Sequence, residues 1–442
     1  MGIAILQSRQ GLADPSVQAL LRRLRAGSLT AAGEGTLDVP GIVRAILADV
    51  ARRGDEAVVS QTALIDHVVL TAETLRVSAE QIEQAHKQAD RVFLDLVRRA
   101  ADNIRAYQQH IRIQAPPPLR RGGRELGVRY TPVDRAGVYV PGAKAFYPST
   151  VLMTVIPAQA AGVKQVAIAT PPRADLGGRP NPLVLAVAAE LGVSEVYRVG
   201  GAIAVAALAF GTASIPAADK IVGPGNAFVA EAKRQVLGRV GIDSMAGPSE
   251  VLIVADDSAR ADWVAADLLA QAEHNPGSAI LVTPSAELAK AVAAAAEAQL
   301  GALERRDSIA QALDAYSAII VTADLSQAAQ VANAFATEHL QIIVRDEQRV
   351  LAEIRHAGAI FIGPYTPVPL GDYYAGPSHV LPTGGTARFF GPLSANDFLK
   401  ASSLVRYDAA SVKQDAQDVI DFATAEGLTA HAAAVRARAL DL

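Results

Sequence analysis

The chain has 442 residues, half of them apolar and 19% charged, and at about 150 residues per domain this length suggests roughly three packed domains. Its 41 basic and 45 acidic side chains leave a net charge of −4, without the basic excess that neutralising a nucleic-acid backbone requires. Cysteine is absent, which excludes disulfides, zinc–thiolate centres and iron–sulfur clusters; a metal must rest on His, carboxylate or amide oxygen, in a chain with 8 histidines.

Met1 to Arg9 shows no basic segment followed by a long apolar one, and Leu6 breaks the myristoylation pattern that Gly2 begins. The most apolar stretch, Val151 to Val163, is interrupted by Thr154, Pro157 and Gln159, short of the ~18 apolar residues of a membrane span. The expectation is a soluble, cytoplasmic protein with neither a membrane nor a nucleic-acid partner.

In chain order, residues 1–125 read as helical. Val39 to Arg53 sets Ile42, Val43, Ile46, Leu47 and Val50 on one helical face. Ser78, followed three residues later by Gln81, forms a capping-box pattern that opens a helical region running to about Ile111. Gln114-Ala-Pro-Pro-Pro-Leu119 with Gly122-Gly123 then reads as a linker. Beyond it strands alternate with helices. Strands are expected at Gly137–Pro141, Gln165–Thr170, Glu195–Val199 and Lys220–Val222, with helices at Ser149–Gly162, Pro180–Gly192, Gly201–Gly211 and Asn226–Leu237. A second series starts at Glu250–Val254 and continues near Ala279–Val282, Ala318–Val321, Leu340–Val344 and Ala359–Ile362. Such alternation predicts an α/β fold with two doubly wound parallel sheets. From Gly371 the chain reads as irregular, ending in one helix around Ala425–Leu440.

Three glycine-rich turns follow strands: Val199-Gly200-Gly201, Gly223-Pro224-Gly225-Asn226 and Gly247-Pro248-Ser249-Glu250. The middle one offers Asn226 as a helix N-cap and free N–H groups for an anion, although G-x-G-x-x-G follows the first strand of neither series. Taken alone, these glycines fit plain turns better than nucleotide binding. Gln271 and His274 lie three apart near a helix end, a spacing that suits either metal chelation or a C-capping histidine. Glu338-His339 sets a carboxylate beside an imidazole, a pair able to move protons and equally at home on a solvated corner. Asp372 and His379 share a loop, and Glu426 and His431 flank the start of the last helix. Gln271, His274, Asp372, Glu426 and His431 together suit zinc without thiolates. Because Gln271, His274, Glu338 and His339 follow helices, they fall at the N-terminal ends of strands, opposite to the edge where open α/β sheets usually bind ligands. His67, His86, His110 and His356, in charged helical contexts, read as surface residues.

Gly137-Val-Tyr-Val-Pro-Gly142, Pro148-Ser-Thr-Val-Leu-Met153, Tyr197-Arg-Val-Gly-Gly-Ala202, Lys220-Ile-Val-Gly-Pro-Gly-Asn-Ala227 and Ala246-Gly-Pro-Ser-Glu-Val251 recur as motifs of one family. So do Ala265-Ala-Asp-Leu-Leu-Ala-Gln-Ala-Glu-His274, Glu338-His-Leu340, Gly371-Asp-Tyr373, His379-Val-Leu-Pro-Thr383 and Glu426-Gly-Leu-Thr-Ala-His431. In order and spacing they resemble histidinol dehydrogenases over about residues 40–442. The resemblance implies oxidation of L-histidinol to L-histidine with two NAD and one zinc per site, as the last step of histidine biosynthesis. It implies zinc on Gln271, His274, Asp372 and His431, and proton transfer by Glu338 and His339. Substrate contacts fall to Ser249, His379 and Glu426 together with those six, and NAD contacts to Tyr139 and Asn226. It further implies a homodimer in which the C-terminal tail reaches the partner's site.

Four regions are expected: 1–125, helical; 126–243, a Rossmann-like domain on the NAD side; 244–375, a second Rossmann-like domain with the zinc and catalytic residues; and 376–442, a dimer-crossing tail. Two departures touch the cofactor. Ile203 stands where the family usually has an NAD-linked Gln, so restoring Gln is expected to tighten NAD, and Ala-Lys-Ala-Phe-Tyr147 replaces a segment of smaller residues. Two other readings are a relative that oxidises another polar alcohol, such as a sulfopropanediol, and a homologue that binds metal or nucleotide without turnover. The intact Glu338-His339 pair opposes the latter.

Overall fold

The computed structural model describes residues 3–8, 10–29, 37–142, 147–245, 247–274 and 276–440. Most of the Ala-Lys-Ala-Phe-Tyr departure (143–146) and Ala246, at the head of one motif, lie outside these residues. Among the described residues the strands are β1 (Ile5–Gln7), β2 (Leu119–Arg121), β3 (Arg124–Pro132), β4 (Arg135–Tyr139), β5 (Gln165–Thr170), β6 (Glu195–Arg198) and β7 (Lys220–Val222). They continue with β8 (Gly241–Ile242), β9 (Ser249–Ala255), β10 (Gly277–Thr283), β11 (Ala318–Val321), β12 (His339–Ile343), β13 (Ala359–Ile362) and β14 (Leu399–Tyr407).

Two sheets are wholly parallel. One runs β6-β5-β4-β7-β8 and the other β1-β11-β10-β9-β12-β13. Apart from β1 the second repeats the order of the first: two strands step outward from the founding strand, then the chain crosses back and adds two on its other side. This is the doubly wound α/β arrangement expected from strand–helix alternation. Each sheet therefore has a switch point, between β4 and β7 in the first and between β9 and β12 in the second. Strands covered on both faces read as continuous apolar runs, and all five residues of β4 and all seven of β10 are buried.

The helices follow their local signals. Val39–Arg53 forms over the span read from its periodicity, with Asp38 capping Gly41 N–H at 3.0 Å and Val43, Ile46, Leu47 and Val50 buried. Ser78 and Gln81 make both arms of the capping box, at 3.2 and 3.3 Å. The helical region it opens breaks in two, Ala79–Gln88 and Arg91–Ile111, where Ala89 turns extended.

The chain divides into two compact units, residues 1–111 with 134–398, and residues 112–133 with 399–442. Both parallel sheets fall in the first unit, whereas the sequence reading parts them at 243/244. The second unit starts its tail portion at Leu399 rather than 376 and takes in the segment read as a linker, together with the first residues of the region expected at 126–243. Its basis is a third, antiparallel sheet, β14-β3-β2, in which Arg124 pairs with Tyr407 and Pro132 with Leu399. The irregular tail expected after Gly371 is corrected by β14 and by a helix at Ala409–Ala425, ahead of the last helix at Thr429–Leu440. Asp408 caps the first of these on Ser411 N–H at 2.8 Å, and Ser411 Oγ accepts from Gly123 N–H at 3.1 Å. The buried apolar cluster of this unit is small: Ala416, Ile420, Ala423 and Ala432.

Candidate active site

The polar residues of the second sheet gather at the N-terminal starts of its strands, as their positions after helices predicted. Ser249 and Glu250 begin β9, His339 begins β12, and Gln271 and His274 end the helix Ala261–Ala272 and its turn just before β10. Ala336 (φ 50) ends the preceding helix in the left-handed region, a strained conformation for a residue with a Cβ, and hands the chain to Thr337, Glu338 and His339. Gly277 and Gly358 let backbones meet there: a Cβ would stand 2.5 Å from the Gln271 carbonyl oxygen at the first and 2.6 Å from that of Glu338 at the second.

Side chains at these starts form one connected chain. Gln271, only 4% exposed, donates through Nε2 to Ser249 Oγ at 2.8 Å, and Ser249 Oγ donates to Glu338 Oε2 at 2.7 Å. Glu250 N–H donates to the same oxygen at 2.9 Å. His339 Nδ1 lies 3.0 Å from the Glu250 carbonyl oxygen and 3.6 Å from Glu338 Oε2, while its Nε2 faces Asp372 Oδ1 at 3.3 Å. Asp372 sits in a single π-helical turn, Gly371–Ala375, and its carbonyl oxygen meets His379 Nδ1 at 3.0 Å. His379 Nε2 reaches Thr150 Oγ1 at 3.4 Å. His274 is exposed, and its charge interacts with Asp372 and His339. Behind this row Gln341 Nε2 donates to Asp267 Oδ2 at 2.9 Å, fastening β12 to the helix that bears Gln271.

Burial works against charge on His339, yet the Glu338 and Asp372 carboxylates outweigh it and push its pKa up to about 9. Burial raises Glu338, with His339 opposing. Burial would raise Asp372 too, but the His339 hydrogen bond and the surrounding imidazoles hold it below the ordinary carboxylate range. Glu250, given no role by the sequence, is pushed up to about 8 by burial and then by the Glu338 charge; its Oε1 accepts from Gly384 N–H at 3.2 Å. Two carboxyls beside one imidazole are able to hold, lend and take back protons. The only sequence signal for Glu250 is its place beside Ser249 in the third glycine turn.

The structure thus brings together Ser249, Gln271, Glu338, His339, Asp372 and His379, with His274 in electrostatic contact. Glu426, which ends the helix Ala409–Ala425, and His431, in the first turn of the last helix, belong to the second unit, where both are exposed. Among the described residues no three His, Asp or Glu side chains form a ready metal cage. Of the histidines read as surface residues, His67 and His110 are exposed, while His86 and His356 are half-buried, His86 Nε2 pairing with Glu190 Oε1 at 2.5 Å.

The other candidate residues lie in the first sheet, at its C-terminal edge. Tyr139 ends β4 and is 4% exposed; its hydroxyl accepts from Gly201 N–H at 3.1 Å, and burial pushes its pKa up to about 12. Asn226 is exposed and is the N-cap that its sequence suggested, accepting from Phe228 and Val229 N–H at 3.1 Å each. Ile203 is different: 1% exposed, it packs within the apolar core and offers no open surface to a cofactor.

The sequence profile of the histidinol dehydrogenase family matches residues 31–439. The chain belongs to this family. A histidinol dehydrogenase of Synechococcus sp. is 51% identical over 397 residues, covering 90% of this chain and 91% of its own, and one of Geobacillus kaustophilus is 48% identical, covering 95% and 98%. The crystal structure of histidinol dehydrogenase from Elizabethkingia anophelis superposes with a TM-score of 0.91 at 32% identity, over 99% of this chain and 98% of that one. As a family member the chain is an oxidoreductase that oxidises histidinol in histidine biosynthesis.

Proposed function

We propose that the chain oxidises L-histidinol to L-histidine in two two-electron steps, through histidinal, with NAD as acceptor and one zinc ion per site. The observation that carries this reading is the Glu338–His339 pair: two adjacent buried groups, one raised by burial and the other held by carboxylates, on the hydrogen-bond chain that includes Ser249 and Gln271.

The donor chemistry fits a divalent ion. Gln271 Oε1, His274 and Asp372 offer amide oxygen, imidazole and carboxylate at one sheet edge, and His431 would complete the set. The crevice between β4 and β7 fits a dinucleotide, since strands diverge there beside a helix N-terminus and a glycine turn. When bound, zinc supplies a fixed positive centre for orienting the alcohol, and NAD accepts the hydride.

The protein residues do the rest. His339, with Nδ1 turned to the Glu250 carbonyl, uses Nε2 to take the hydroxyl proton. The Glu338 and Asp372 carboxylates favour the charged imidazolium, with Asp372 the one that faces Nε2; a cation drawing on Asp372 would weaken that hold and free the base. Glu338, oriented by Ser249 Oγ and Glu250 N–H, activates the water that the aldehyde must add before its second oxidation. His379 and Glu426 would contact the substrate, and Tyr139 and Asn226 the cofactor.

The second unit supports a dimer. All but the first residue of β14 is exposed, and four buried apolar residues make a poor core for a unit of this length. We place its missing cover on a second copy of the chain, whose tail would bring His431 and Glu426 to the partner's site. The protein is assigned to the cytoplasm, where this biosynthetic chemistry belongs. A substrate panel read by NADH formation tests the reading: turnover of L-histidinol and of histidinal is expected, and turnover of a sulfonated propanediol in their place would overturn it.

A further inference from the structure

The first sheet contains a charge pair that the reaction does not use. Lys233, in the helix Ala227–Val236, is 1% exposed, and Asp243, just past β8, is 8% exposed. They form an ion pair with each other. Both also grip one residue: Lys233 Nζ donates to the Gly223 carbonyl oxygen at 3.0 Å, and Asp243 Oδ2 accepts from Gly223 N–H at 2.7 Å.

Gly223 stands where the sheet lets go. The pairing of β4 with β7 stops at Val138–Val222, one residue earlier, so β4 no longer satisfies the next peptide groups. Its φ is +120°, and a Cβ would lie 2.2 Å from the Tyr139 carbonyl oxygen, so only glycine fits. This is the switch point of the sheet. From it the chain runs through Pro224 and Gly225 to Asn226, which caps the very helix that carries Lys233. The turn is thus closed at both ends, by the cap in front and by the charge pair behind.

We propose that Lys233 and Asp243 are positioning residues for the dinucleotide, a clamp that sets the Gly223–Asn226 turn and thereby cofactor affinity. This rests on the NAD reading above. Burying two ions carries a desolvation cost that an apolar pair of similar volume avoids, so filling space does not account for them. Opposite charges on the N–H and the C=O of one residue fix the two successive peptide planes that meet at Gly223, which neither a methionine nor a leucine can do. Neither side chain needs to touch the ligand; both are buried beneath the turn.

The test is steady-state kinetics of the full-length enzyme with histidinol and NAD, beside calorimetric titration of NAD. The double variant Lys233→Met/Asp243→Leu removes both charges without leaving either ion alone. Expected are a melting temperature near that of wild type, KM and Kd for NAD raised about 10-fold or more, kcat at saturating NAD within about 3-fold, and an unchanged KM for histidinol. Asp243→Asn, which keeps an acceptor for Gly223 N–H, should recover most of the affinity, and it gives the reading by itself if the double variant does not fold: an NAD Kd raised less than about 3-fold is expected, with Lys233→Met raised well beyond it. Wild-type NAD affinity in the double variant, or equal losses in kcat and both KM values, would overturn the proposal. Failure of the wild-type enzyme to reduce NAD with histidinol would instead strike the proposed function.

Discussion

His339 Nδ1 lies 3.0 Å from the backbone carbonyl oxygen of Glu250. A carbonyl only accepts, so this contact keeps the proton on Nδ1 and leaves Nε2 as the nitrogen that would exchange a proton with substrate in the proposed reaction. The strand start of β9 therefore sets the tautomer of a base carried by β12.

Substitution separates the two proton carriers. His339→Asn should slow oxidation of both histidinol and histidinal, while Glu338→Gln should slow mainly histidinal, since water adds only before the second step. General acid–base groups contribute ~10²–10⁴-fold, so large losses are expected in single-turnover rates measured on each substrate. Small, equal effects on the two substrates would count against this division.

Glu250 gives stability a pH dependence of known sign. With its pKa pushed up to about 8, the folded protein binds more protons than the unfolded chain from the ordinary carboxylate range up to about pH 8, so this group costs stability as pH rises through that window. Glu250→Gln keeps an acceptor for Gly384 N–H and removes the titration. Melting curves should show variant and wild type alike near pH 4.5 and the variant more stable by at least about 1 kcal/mol at pH 8, one unit of displacement being worth about 1.4 kcal/mol. A constant difference across that range would refute the assignment.

Ile203 now leads to a different expectation from the one its sequence position gave. Because it is 1% exposed in an apolar cluster, Ile203→Gln would bury an amide without partners, at a cost of about 1–3 kcal/mol. A lowered melting temperature with no gain in NAD affinity is expected. Tighter NAD binding would show that the amide finds a path out of the core to the cofactor.

The proposal that His431 reaches the partner's site can be tested by complementation. His339→Asn and His431→Asn proteins, each inactive, are mixed under conditions of subunit exchange. If tails cross, random exchange leaves half the dimers mixed, each with one intact site, and activity should recover to about a quarter of wild type. Proven exchange without recovery would show that each chain completes its own site.

Much of this architecture was legible because its signals are local. The period of Val39–Arg53, the Ser78–Gln81 box, the Asn226 cap and the apolar runs of β4 and β10 each declare themselves within a few residues. The antiparallel sheet did not, because β3 is partly exposed along its length, lies next to prolines and glycines, and finds β14 only at the far end of the chain. In the site, Glu338 and His339 stood out by residue type and neighbourhood, and Ser249 through the family resemblance. Glu250 did not: its carbonyl meets His339 at the start of β12 and its carboxyl meets Gly384 in a distant turn, and no spacing encodes that. The Lys233–Asp243 clamp was hidden for the same reason, since a lysine in an amphipathic helix ordinarily faces solvent.

Product stoichiometry bears most directly on the four-electron reaction. A limiting, weighed amount of L-histidinol is run to completion with excess NAD, and NADH and histidine are quantified. Two NADH and one histidine per histidinol, with no histidinal accumulating, is the expected result. One NADH per histidinol, with histidinal as the end product, would contradict it.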